Sequence, residues 1–139
     1  MSIYPENDKK FAAVKALNLP IGEYAITSSG PLGIRDVREI GDVDLIVSDR
    51  LWQEFLLKHE LVTTGGFQKI IILPMIDVLC ERSFPHRTAA SPTVEQQIRD
   101  ADIIDGLPFV SLPHVLYFKE TMGREKDKLD VEAIHNLLY

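Results

Sequence analysis

Short apolar runs alternate with amphipathic stretches along the chain, and the spacing divides it into strands and helices. Residues 6–17 are rich in helix formers, and Asn18 and Pro20 predict where that first helix stops. GEYAIT (22–27) reads as a short strand running into SSGPLGIRDV. There small residues make a turn, and Pro31 stands near a helix start, where its missing N–H costs nothing. DVDLIV (42–47) reads as a strand, and Asp49 as the N-cap of a helix over 50–60 with Leu51, Phe55 and the Lys58 stem on one face. Gly65–Gly66 predicts a turn, followed by strands over about 67–73 and 75–81 that Pro74 separates. SFPHRTAAS is loop. Ser91 and Pro92 predict a helix over 92–103, LPFVS a short strand, and Ser111 a helix over 112–122 that Gly123 stops. A last helix covers about 127–138. Short strands mixed with helices predict an α/β or α+β domain around one sheet.

Composition narrows the class. A chain of 139 residues, 45% apolar, suits a single globular domain over 1–139. The net charge of −6 disfavours nonspecific binding to nucleic acid or anionic membrane, while leaving room for a local basic patch. Cys80 is the single cysteine, so no intramolecular disulfide forms, which fits a reducing cytosol. The first residues are polar and lack the apolar core of a signal peptide, and no run approaches the ~20 apolar residues of a membrane span. A soluble, cytoplasmic protein is expected.

The candidate chemistry begins at Asp42 and Asp44. Strand side chains alternate, so these two carboxylates point the same way and can converge on one cation. Two close carboxylates repel, and without a cation one tends to hold a proton. Mg²⁺ removes the conflict, takes oxygen ligands and also binds substrate phosphates. Taken alone, the motif is more simply a turn residue followed by a solvated strand position. Asp77 is one acid in an otherwise apolar strand. It is either an edge residue facing water or a buried group that needs a partner or a metal.

The apolar run follows the acids here. YAITSSGPLGIRDVREIGDVDLIV, with its strand, small-residue turn, helix and acid-x-acid strand in order, resembles the DNA polymerase β-type nucleotidyltransferase superfamily. The resemblance implies a minimal nucleotidyltransferase fold: one central mixed sheet flanked by helices. Ser29 matches the Ser of the family's Gly-Ser pair, Ser28 stands where that family usually has Gly, and Gly30 adds freedom next door. In the family this turn approaches the nucleotide phosphates; as a plain strand-to-helix turn, SSGP needs no function. The resemblance makes Asp42, Asp44 and Asp77 the catalytic, metal-binding acids. Asp42 and Asp44 would hold both metals and Asp77 one, with Asp77 also able to act as base.

The tail, SLPHVLYFKETMGREKDKLDVEAIHNLL, is similar to the C-terminal part of small bacterial nucleotidyltransferase-like proteins, including the AbiEii toxin type. Lys119, Arg124, Lys126, Asp127 and Asp130 fit that pattern. Lys119 is the leading phosphate candidate, with Arg124 and Arg35 beside it as nucleotide-binding candidates. The alternative makes Gly123 a helix stop, Asp127 an N-cap, and Lys126 and Lys128 solvated surface. Arg35, Asp36 and Arg38 also read as an ordinary charged helix surface. His59, His86, His114 and His135 have no metal-ligand spacing, and Trp52, Phe55 and Cys80 read as core.

The expected activity is transfer of a nucleoside monophosphate from a nucleoside triphosphate to a hydroxyl acceptor, with Mg²⁺. A partner chain, such as an antitoxin, or a homodimer would supply the wall that so short a chain lacks. Two alternatives stand beside it. One is a non-catalytic nucleotide-binding or toxin–antitoxin interaction protein on the same fold, motivated by Ser28. The other is a metal-dependent phosphatase or nuclease using the same acids.

Overall fold

The computed structural model describes residues 3–64, 67–84 and 88–139, except for the side chains of residues 64 and 67. The expected class is what folds: an α+β domain with one mixed sheet between helices. The helices are α1 (Pro5–Ala16), α2 (Gly30–Gly33), α3 (Asp49–Leu56), α4 (Val94–Arg99), α5 (Leu112–Met122) and α6 (Lys128–Leu138). The strands are β1 (Tyr24–Thr27), β2 (Val43–Val47), β3 (Leu61–Thr64), β4 (Phe67–Ile72), β5 (Ile76–Leu79), β6 (Asp102–Ile104) and β7 (Leu107–Phe109). Seven strands lie in the order β3-β4-β5-β2-β1-β7-β6. The β1–β7 and β2–β5 pairs are parallel and the remaining pairs antiparallel.

The central strands are buried on both faces, which is why they read as near-continuous apolar runs. Tyr24, Ile26, Val43, Leu45, Val47, Ile76 and Val78 pack against Phe11 and Val14 of α1 and Leu51, Trp52 and Phe55 of α3. The alternate residues Ala25 and Ile46, with Val110, pack against Val94 and Ile98 of α4, Val115 and Leu116 of α5, and Ile134 of α6. Burial of each large aliphatic side chain contributes roughly 1.5–3 kcal/mol. Among the described residues, no helix is long and apolar enough to cross a membrane.

Several elements differ from the sequence expectations, each for a local reason. The helix of the SSGPLGIRDV stretch is a single turn, Gly30–Gly33. Asp36, at φ 59°, leaves the helical region soon after it. The cap of α3 is Ser48, whose hydroxyl accepts the Leu51 N–H at 3.2 Å, and Asp49 is the first helical residue. That helix ends at Leu56, which releases residues 61–64 to form β3 as an edge strand paired with β4. The Gly65–Gly66 turn falls outside the described residues. Thr93, not Ser91, caps α4, through a reciprocal box with Gln96. The helix expected to run to 103 stops at Arg99. Asp105 and Gly106, at φ 52° and 79°, form the two-residue turn of a β6–β7 hairpin instead. Asp-Gly between apolar residues is the sequence signal for such a turn.

Gly30 matters because α2 lies directly on β1. A Cβ at residue 30 would stand 2.2 Å from Cγ2 of Ile26, which is fully buried and cannot retreat. Gly30→Ala is therefore expected to destabilise the fold by about 1–3 kcal/mol through overpacking, read as a lower midpoint in urea unfolding with an unchanged slope.

Candidate functional site

A cleft of about 680 Å³ opens at the mouth of β2, between the β1–α2 turn and the α5–α6 region. Its lining brings together Ser28, Ser29, Asp42, Asp44, Asp77, Lys119 and Arg124. These come from five separate stretches of the chain. Gly30 and Arg35 do not line it. Gly30 is buried against Ile26. The Arg35 guanidinium donates to the Pro31 carbonyl at 2.7 Å and to Asp102 at 3.3 Å.

Sheet register sets the acid wall. Asp44 lies beside Asp77 across the parallel β2–β5 pair, and opposite Thr27 on β1. Adjacent strands are about 4.8 Å apart, so the two carboxylates share one face as near neighbours. Asp42 sits exposed just before β2. Burial, then the charge of Asp77, then that of Asp42, push Asp44 up to about 6, against the hydrogen bond from Ser28 and the charge of Lys69. Ser28 makes that bond from φ 58°, a left-handed conformation that favours glycine. The serine thus accepts some backbone strain and in return places a hydroxyl on Asp44.

Asp77, 9% exposed, is paired: Lys69 Nζ on β4 lies 3.0 Å from its Oδ2. Lys69 is a residue the sequence did not flag, because QKIII reads simply as a strand. The β4–β5 pairing opposes Ile71 to Asp77, and Lys69, two residues along, projects from the same face. Among the described residues, no group of three or more His, Cys, Asp or Glu forms a cluster able to hold a metal. The donor set itself is hard oxygen, suited to Mg²⁺, and Asp44 is raised by burial first and by the neighbouring carboxylate of Asp77 second.

The opposite wall is a chain of ion pairs. Lys119, 8% exposed on α5, lies 3.3 Å from Asp127 and 3.0 Å from Asp130. Arg124 grips Asp127 at 2.7 and 3.1 Å, and Arg38 grips Asp130 at 2.8 and 2.7 Å. Asp127 occupies the N-cap position of α6, but its carboxylate is turned to these cations and makes no cap bond. Burial pushes Asp127 and Asp130 up, yet the bonds and charges of the basic groups outweigh it and hold both below the usual carboxylate range. Within these pairs three cations meet two carboxylates, which leaves one positive charge, and Lys126 lines the same side of the cleft. Lys119, the foremost phosphate candidate by sequence, is thus already engaged on two sides.

The loop between α2 and β2 carries Arg38 and Asp42, and α1 holds it in place. Fully buried Asn7 donates to the Arg38 carbonyl at 2.9 Å and accepts the Ile40 N–H at 2.9 Å. Lys10 donates to the Ile40 carbonyl at 2.6 Å. A second hollow, of about 770 Å³, lies at the far end of β2 near Ser48 and α4. Two of its acids are engaged locally: Asp49 with Arg82 at 3.3 Å, and Glu81 with the Val94 N–H at 3.2 Å.

Two expectations follow. The folded-state pKa of Asp44 lies above its unfolded value, so its charge lowers stability once pH rises through about 6. Asp44→Asn should then unfold later than wild type at pH 8, by on the order of 2 kcal/mol, with the gap closing as pH falls towards 4; denaturant titrations across pH measure it. Lys119→Met should act oppositely and cost about 2–4 kcal/mol at pH 7, because Asp127 and Asp130 stay buried with one cation fewer. That cost should shrink in acid, as pH drops through the depressed pKa values of the two carboxylates and both take up protons.

No protein-family model matches the chain, and no curated protein matches it.

Proposed function

We propose that the cleft binds a nucleoside triphosphate together with Mg²⁺ and transfers the nucleoside monophosphate to a hydroxyl acceptor, with the acceptor oxygen displacing pyrophosphate at the α-phosphorus. The observation that carries this reading is one cleft with a carboxylate wall (Asp42, Asp44, Asp77) facing a wall with surplus positive charge (Arg38, Lys119, Arg124). A polyphosphate with a bound cation has the matching polarity.

Asp42 and Asp44 would hold the metal, with Asp77 beside them. When bound, the ion would neutralise phosphate charge and polarise the phosphorus centre. The chain's own groups do the rest. The half-exposed Arg38 and Arg124 offer guanidinium N–H groups to phosphate oxygens. The Ser28 hydroxyl and Ser29 line the β1–α2 turn, where a phosphate would meet small polar groups. Phe84, Val115, Phe118 and Met122 give the cleft an apolar side for a base or sugar. Asp77 would take the acceptor proton once its lysine partner yields. A second chain, an antitoxin-like partner or another copy, would complete the acceptor side.

A second reading, a non-catalytic nucleotide-binding or interaction protein, has its own support. Lys69 on Asp77 and Lys119 between two aspartates mean that much of the site's charge is already compensated from within. Calorimetric titration with each nucleoside triphosphate, with and without Mg²⁺, tests the first reading. Binding that requires Mg²⁺ and is lost in Asp44→Asn is expected; equal binding by wild type and variant would sink it. Tight binding without turnover on any hydroxyl acceptor would favour the second.

A further inference from the structure

We propose that Lys69 is the resident counter-cation of Asp77, so that the protein without nucleotide takes a single divalent ion, at Asp42 and Asp44. The inference rests on the metal reading above and refines it, because the family resemblance implies two metals with Asp77 a ligand to one.

Position carries the argument. The Lys69 ammonium is 3.0 Å from Asp77 Oδ2, and both side chains are largely buried, at 22% and 12% exposure. A buried lysine is costly unless it is paired, and so is a buried aspartate. The pair therefore holds together more strongly than a surface bridge would, and an incoming ion must compete with the ammonium for the Asp77 charge.

Charge points the same way. Asp42, Asp44 and Asp77 carry three negative charges, and Lys69 returns one. The two that remain are the complement of one divalent ion. A second ion would find Asp77 occupied and no negative charge left over until a polyphosphate brought its own.

Lys69 also sits where strand geometry alone would not demand a charge. It lies on β4 opposite Val62 of the edge strand β3, two residues from Ile71, which is opposite Asp77. An apolar residue there would satisfy the sheet equally well and leave Asp77 open.

Mn²⁺ titration without nucleotide tests the inference, counting bound ions by the loss of the free-ion electron paramagnetic resonance signal. Wild type is expected to bind one ion per chain. Lys69→Met, similar in length but uncharged, should bind two, and Lys69→Arg should stay at one. Circular dichroism checks that each variant folds; should Lys69→Met fail to fold, Lys69→Gln takes its place as the uncharged variant, and the same count of two ions is expected of it. Two ions in wild type, or one in both wild type and a folded Lys69→Met, would overturn the role of Lys69 while leaving metal binding intact. No ion in any of the three proteins would overturn this inference together with the metal reading beneath it.

Discussion

The parallel register of β2 and β5 is the constraint on which the cleft depends. It sets Asp44 beside Asp77 at the mouth of a sheet whose remaining central positions are apolar and closed. Two carboxylates so placed cannot both be charged without compensation. The chain answers with a hydroxyl from Ser28 on one side and an ammonium from Lys69 on the other. Across the cleft the problem is reversed. Asp127 and Asp130 are buried to gather three basic side chains, which leaves a modest positive excess. The two walls thus differ in sign, and the space between them suits a ligand that is itself polarised.

The α2–β2 loop joins the two walls. Its backbone is bonded to Asn7 and Lys10 of α1, and its Arg38 side chain is bonded to Asp130 of α6. Asn7 satisfies an amide and a carbonyl that would otherwise be buried without partners, a loss that costs about 1–3 kcal/mol per group. The position of Asp42, two residues after the Asn7-bound Ile40 and four after Arg38, is in this sense set by helices at both ends of the chain.

Much of this was legible in the sequence because it is local. Apolar runs marked the central strands, Gly123 marked the end of α5, and the Asp42–Asp44 spacing marked the face on which the cleft lies. The edge strands were not legible as strands. Residues 61–64 follow directly on a helix expected to reach residue 60, and the helix expected over 92–103 covered most of β6, so neither stretch stood apart as a strand; the Asp105–Gly106 turn is the local signal that marks the β6–β7 hairpin. The site was half legible. Which acids share a face follows from alternation, but that Lys69 meets Asp77 depends on the β4–β5 register, which no local pattern encodes. The pairing of Lys119 with Asp127 and Asp130 likewise depends on how α5 turns back into α6. Arg35 misled because α2 is one turn long, so the helix face it was assigned to does not exist.

The clasped loop also bears on the order in which the protein folds. Its bonds to Asn7 span 31 and 33 residues, whereas its bond to Asp130 spans 92. Closing the longer loop costs more chain entropy and must await the C-terminal helices. The acid wall can therefore take shape while α6 is still unattached, with Arg38 docking last. A nascent chain would show its negative side before the positive side arrives to face it.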